Sequence, residues 1–379
     1  MTPGIERYIR YLDSNVLEAA RERIRHVMGT FDSWAVAFSG GKDSLVTLSL
    51  VRQEMDAAGM TQPLEVIFRD EELIPDAVVD MVDSYRRQTD RFRLRWYAVP
   101  MASHKYILGR TYDYIQWDPA RAWVRPKPDW AITEIPGQDG RVYSQYDMDA
   151  VTADGLPGKV AVFTGIRASE SLVRLRACLN KIHENYITAV RATERVKLVK
   201  PIYDWSEADV FRFLYDYQIR YCAVYDAQTW NGEGLRVSTP IHAETSKRIH
   251  QLRLRDPEFY DRVTQIFPEV LAHTRYFRDL DVNGSMAGYP GTWSGILQWI
   301  DDHLEDPHQR ALAKKRVADA RSYRLSRNPA SEPPFYGYPI RYVFKAIMSG
   351  NFKRFLLPKR HASTSRADYE FEGLPWPTP

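Results

Sequence analysis

The chain has 379 residues, with 44% hydrophobic and 27% charged side chains and a net charge of +3, a composition that excludes wholesale disorder and leaves room for one large α/β domain and a second, helical part. Two cysteines, Cys178 and Cys222, are too few for a disulfide framework, a four-cysteine zinc site or a self-contained iron-sulfur cluster, so reduced thiols in a cytoplasmic protein are expected. Charges recur after Met1 at Glu6, Arg7, Arg10 and Asp13, which argues against a secretory leader, and no apolar run is long enough to span a membrane.

Residues 15 to 28 predict an amphipathic helix capped by Asn15, with Val16, Leu17, Ala20, Ile24 and Val27 on one side. Trp34 to Phe38 then reads as a buried strand that runs into Ser39-Gly40-Gly41, and helical periodicity starts at Ser44 with Leu45, Leu48 and Val51. A second strand, Leu64 to Phe68, ends in the acidic stretch Arg69 to Glu72 and is followed by a helix from about Asp76 to Arg87; a third strand is expected at Leu94 to Val99. Strands and helices alternating at this spacing predict a parallel sheet whose ligand sits at the carboxyl ends of its strands. Residues 105 to 160, rich in Pro, Gly, Trp and Tyr, break the rhythm and read as an insertion, a lid and not a sheet element. The α/β pattern returns with Lys159 to Thr164, a helix from about Ser169, and a helix capped by Ser206 that carries Val210, Phe211 and Leu214. From about residue 240 only helices and loops are expected.

Chemistry concentrates in the loop Ser39 to Ser44. Two glycines let the backbone approach a phosphate, and the following helix offers unpaired N–H groups with roughly half a unit of positive charge. Lys42 adds a cation, Ser39 and Ser44 add hydroxyls, and Asp43 is the candidate ligand for Mg2+ bridging phosphate oxygens. A Walker loop is excluded, because Val36 stands where its first glycine belongs and Asp43 stands where its Ser or Thr belongs.

Ser39-Gly40-Gly41-Lys42-Asp43-Ser44 after a strand resembles the signature of the PP-loop ATP pyrophosphatases. Thr164-Gly165-Ile166-Arg167-Ala168-Ser169-Glu170-Ser171 with Arg174, and Pro201 to Val210, are similar to the branch that includes phosphoadenosine phosphosulfate reductase. The resemblance spans about residues 30 to 225. It implies an adenine nucleotide α-hydrolase-like fold, a twisted parallel sheet with helices on both faces, followed by a helical C-terminal region. It also implies ATP across the strand ends, cleavage between the α and β phosphates, Asp70 by the nucleoside, Gly165 and Arg167 on the phosphate side, and Arg167 opposite the reacting α-phosphate. Glu170 has two readings, a catalytic one and an ion pair with Arg174.

The expected organisation is an N-terminal helix at 1–29, the nucleotide domain at 30–239 with its insertion at about 105–160, and a helical, basic region at 240–379. Sulfonucleotide reductases attack with a cysteine near the C-terminus, and here no cysteine follows Cys222, which disfavours reduction. Cys178 and Cys222 read as core residues. Two related groups are similar, the ATP pyrophosphatases of DNA phosphorothioation and, through Arg236 to Pro240 and the tryptophan-rich insertion, the reductase-like group found beside ParB-like proteins on mobile elements; both resemblances imply a nucleic-acid acceptor or partner, and the first also a cysteine desulfurase or other sulfur-transfer partner. The alternatives are a regulator that binds ATP or a sulfonucleotide without turnover, and a sulfonucleotide reductase. From Pro333 to Ala367 seven basic residues (Arg341, Lys345, Lys353, Arg354, Lys359, Arg360, Arg366) stand without an acid among aromatics, a run suited either to DNA or RNA contact or to a solvated face. Trp117, Trp123 and Trp130 alternate with Arg121, Arg125 and Lys127 in the insertion. His242, His250, His273 and His361 are too irregularly spaced for a strong metal motif.

Overall fold

In the computed structural model the described residues are 12–138, 140–170, 174–175, 178, 184–243, 245–276, 286, 288–322, 340–348 and 350. They form two compact units, the described residues up to Ser103 with those of Asp113–Pro268, and His104–Tyr112 with the described residues from Glu269 onward.

The first unit opens with helix α1 (Val16–Thr30), where the Asn15 side chain accepts from the Glu18 N–H as its sequence predicts. Strand β1 (Ser33–Ala37) leads through the glycine loop into α2 (Lys42–Ala57); β2 (Leu64–Arg69), α3 (Asp76–Arg86) and β3 (Phe92–Tyr97) follow. After the hairpin β4 (Met101–Ile107) and β5 (Arg110–Gln116) come α4 (Gln145–Val151), β6 (Val160–Thr164), β7 (Ile187–Ala189) and β8 (Val196–Val199). Helix α5 (Glu207–Asp216) begins at a capping box in which Ser206 and Asp209 satisfy each other's backbone N–H groups. Helices α6 (Val224–Trp230), α7 (Ile249–Arg255) and α8 (Pro257–Ile266) complete the unit.

The main sheet has the order β3-β2-β1-β6-β8-β7. All its pairs are parallel except β7 with β8. Alternation along the strands divides the core into two layers. Val36, Val66, Ala161 and Phe163 face one side with Leu45, Leu48 and Val51 of α2 and Val78 and Val82 of α3. Their neighbours Ala35, Ile67, Val160 and Val162 face the other with Met148 of α4, so helices cover both faces, as expected for an α/β fold. The chain moves outward from β1 through β2 to β3 and then returns to β6 on β1's other side. A crevice therefore opens at the carboxyl ends of β1 and β6, neighbouring strands whose following connections leave in opposite directions.

The insertion departs from expectation in two ways. It contains a hairpin, and its aromatic and basic residues pack on the acidic stretch after β2. Glu72, fully buried and held at φ +63°, accepts from both terminal nitrogens of Arg121 at 2.7 Å, from the Trp117 N–H at 2.6 Å and from the Val124 N–H at 3.2 Å. Trp117 and Trp123 meet edge to face, with the Lys127 ammonium over both rings, at 5.6 and 4.7 Å. These aromatics and cations serve one another inside the fold, and burial pulls the Lys127 ammonium below its ordinary value.

The second unit holds α9 (Glu269–Tyr276), α10 (Trp293–His303), α11 (Pro307–Ser322) and α12 (Ile340–Met348). Ile296, Trp299 and Ile300 pack with Val317 and with Val343, Phe344 and Ile347. Of the basic run, Arg341 and Lys345 lie on α12, where burial and Arg341 lower the Lys345 pKa; Lys353, Arg354, Lys359, Arg360 and Arg366 lie outside the described residues. No helix among the described residues is long and apolar enough to cross a membrane.

Glu72→Ala strips four donors of their acceptor and leaves Arg121 unpaired, so it is expected to lower the unfolding free energy by about 3 kcal/mol. Denaturant unfolding with limited proteolysis of residues 105–160 checks this; an unchanged midpoint would show that Glu72 does not anchor the insertion.

Candidate functional site

The glycine loop hangs from the carboxyl end of β1. Gly40 adopts φ +74°, and a Cβ there would come within 2.8 Å of the Val78 side chain, so a larger residue is barred both by conformation and by α3. The hydroxyls of Ser39 and Ser44 lie 3.0 Å apart, and Ser44 also receives the Ser39 N–H at 3.1 Å. First-turn amides of a helix have no intrahelical acceptor. That of Lys42 donates to the Tyr225 hydroxyl at 3.0 Å, while those of Asp43 and Ser44 donate to no group among the described residues. Burial raises the Tyr225 phenol far above its ordinary pKa, so it stays a neutral dipole here.

From the carboxyl end of β6 the loop Gly165-Ile166-Arg167 comes back against the same helix start. A Cβ on Gly165 would lie 2.5 Å from the Asp43 carbonyl carbon and the Ser44 nitrogen. Only glycine permits this backbone-on-backbone approach. It carries Arg167, itself 4% exposed, to Asp43, whose Oδ1 accepts from the Arg167 Nε at 2.5 Å. The other carboxylate oxygen receives the Lys42 ammonium at 3.1 Å, which also reaches Glu207 at 3.2 Å and the Leu235 carbonyl at 3.1 Å. Glu170 pairs with Arg174 and accepts from the Arg167 N–H at 3.1 Å, the ion-pair reading of this residue.

These loops enclose a cavity of about 240 Å³ lined by Ser39, Gly41, Lys42, Asp43, Ser44 and Gly165, with Glu170, Arg174 and the segment Leu235–Ser238 closing it. The structure thus joins Ser39, Gly40, Gly41, Lys42, Asp43, Ser44, Gly165 and Arg167 in one neighbourhood. Sequence reasoning missed Tyr225, Glu207 and Leu235–Ser238; only the position of Glu207 directly after the Ser206 cap was a signal.

Asp70 stands apart. It is fully buried and accepts from Arg125, from the Trp96 indole at 2.8 Å and from the Glu72 N–H at 2.9 Å, with no side in the cavity. Burial raises its carboxyl pKa against the pull of Arg125. Magnesium does not fit Asp43 as it stands, because both carboxylate oxygens face cations that repel a divalent ion. His242 meets Ser103 at 3.0 Å and His273 accepts from the Leu108 N–H at 2.9 Å; His361 lies outside the described residues, which contain no group of three or more metal-ligating side chains. Cys178 and Cys222 are 2% and 3% exposed, and burial raises the Cys222 thiol pKa. No described residue of the insertion lines the cavity.

Fold and site together define an α/β protein with a glycine loop at a topological switch point. Comparison with known proteins agrees with the motif resemblance: residues 142–266 match the phosphoadenosine phosphosulfate reductase domain, a stretch that includes Gly165 and Arg167 but not the glycine loop. An uncharacterized protein of Escherichia coli (strain K12), YbdN, is 29% identical over 261 residues, which cover 65% of this chain and 64% of that protein. Among solved structures, the phosphate complex of phosphoadenylyl-sulfate reductase from Candida auris aligns at 14% identity over 61% of this chain and 98% of its own, with a TM-score of 0.32. Candida glabrata FMN adenylyltransferase, in complex with FMN and the ATP analogue AMPCPP, aligns at 12% identity over 57% of this chain and 62% of its own, with a TM-score of 0.35.

Gly165→Ala forces a methyl group into the Asp43–Ser44 peptide and is expected to cost about 1–3 kcal/mol of stability and to separate Arg167 from Asp43. Thermal unfolding with nucleotide titration checks both effects; wild-type stability and affinity together would contradict the packing described.

Proposed function

We propose that the protein is an ATP pyrophosphatase that adenylylates an acceptor. Its cavity is smaller than the ~300 Å³ at which pockets for whole organic ligands begin, so it suits the outer phosphates, with the nucleoside lying beyond its mouth. The observation that carries this reading is the meeting of the glycine loop and the Gly165 loop at one helix start, with Lys42 and Arg167 both held on Asp43. Gly40, Gly41, Ser39, Ser44 and Lys42 then bind the leaving pyrophosphate, and Arg167 faces the α-phosphate. An acceptor oxygen forms a bond to the α-phosphorus while the bond from that phosphorus to the bridging oxygen breaks; pyrophosphate leaves with the electron pair, and the acceptor's proton passes to water. In this scheme Lys42 and Arg167 exchange Asp43 for phosphate oxygens, so their charge is oriented before the substrate arrives.

A nucleic-acid acceptor, activated for sulfur insertion from a partner desulfurase, follows from the resemblance to phosphorothioation enzymes. A second reading, sulfonucleotide binding without turnover, has in its favour the match over residues 142–266. Thiol-dependent reduction is disfavoured by the burial of both cysteines away from the cavity.

With α-labelled ATP, the wild-type protein is expected to form labelled AMP or an adenylylated product more rapidly when DNA or RNA is present, and Lys42→Ala to lower that rate by about 100-fold. Tight nucleotide binding with no product under any acceptor would favour the second reading. Equal rates for the wild type and Lys42→Ala would overturn the first.

A further inference from the structure

A second cavity, of about 340 Å³, lies on the other side of the segment Arg236-Val237-Ser238, which lines both. Gln228 fixes this partition: its side-chain amide donates to the Arg236 carbonyl at 2.5 Å and accepts from the Arg236 N–H at 3.0 Å. The floor is apolar, made by Val224, Ile249, Leu252 and Phe259. Arg248 is exposed on its lining and its guanidinium has no carboxylate partner among the described residues, whereas the Arg236 guanidinium donates to the Glu170 carbonyl at 3.4 Å, on the side of the phosphate cavity. Arg255 is paired with Glu233. Glu233 is 7% exposed, and its second carboxylate oxygen, Oε1, is buried without a hydrogen-bond partner. A buried carboxylate oxygen in this condition is costly unless something donates to it.

We infer that this cavity is the acceptor pocket and takes a nucleotide unit with an amino-bearing base: the phosphate on Arg248, the flat base over the apolar floor, and the exocyclic amino group donating to Glu233 Oε1. Each part of such a ligand answers one feature of the lining. Apolar surface requires a body with little polarity on its faces, Arg248 requires an anion, and the orphaned oxygen requires an N–H donor. The volume falls within the range of small-molecule sites. As an acceptor pocket the inference rests on the proposed adenylyl transfer, because only the shared wall brings its occupant beside the phosphate cavity. As a nucleotide site it stands on its own lining.

CMP and UMP differ at the exocyclic group and form the matched probe pair. With the full chain saturated by a non-hydrolysable ATP analogue, calorimetric titration is expected to show CMP binding about tenfold more tightly than UMP. Arg248→Ala, at an exposed position, should weaken both by about tenfold, and Glu233→Gln should erase the preference for CMP. Titration with a short oligocytidylate separates the sources, a gain over CMP marking a strand and equal affinity marking a free nucleotide. No binding of CMP, no preference over UMP, or unchanged affinity in Arg248→Ala overturns the pocket. If the ATP analogue binds and CMP does not, the pocket falls and the phosphate-loop reading stands. If CMP binds through Arg248 and the ATP analogue does not bind, the phosphate-loop reading falls and the nucleotide site stands.

Discussion

The site depends on one contact without side chains, the approach of Gly165 to the peptide between Asp43 and Ser44. Two parallel strands side by side place their following loops near each other, but only the missing Cβ lets the second loop settle on the start of the helix that leaves the first. Everything functional is arranged around that contact. It sets the distance from Arg167 to Asp43, and with it a cluster of charges beside the open end of α2.

That cluster is internally balanced. Asp43 lies between Lys42 and Arg167, Glu207 takes a second side of Lys42, and Glu170 holds Arg174. Cations kept by neighbouring carboxylates are positioned at little cost in side-chain freedom, and under the proposed function an incoming phosphate gains them by exchange. Asp70 and Glu72 show the contrasting case. Their carboxylates are wholly enclosed and committed to Arg125 and Arg121, so the acidic stretch after β2 fastens the insertion to the sheet.

Local signals in the sequence announce much of this structure. The strand, glycine pair and helix around residue 40, the Asn15 and Ser206 caps, and the alternation of β1, β2, β3 and β6 all follow from nearest-neighbour chemistry. The short β7 and β8 were missed because three and four residues carry too little periodicity, and β7 runs against its neighbour. The composition of the insertion suggested a lid, since sequence does not reveal that Glu72 and Asp70 lie within reach of its arginines. The partition at Arg236 to Ser238 was equally hidden: it exists only because Gln228, eight residues away, clamps it. The family resemblance sets Asp70 by the nucleoside; in the structure its carboxylate is enclosed under Arg125 and Trp96, a neighbourhood the sequence does not reveal.

The most direct test is a crystal structure of the protein with the ATP analogue AMPCPP. The account predicts its β and γ phosphates against the Gly40-Gly41 loop, with the Lys42 ammonium moved from Asp43 onto a phosphate oxygen and the α-phosphate toward Arg167. A triphosphate bound elsewhere, with Lys42 still on Asp43 and Glu207, would contradict it.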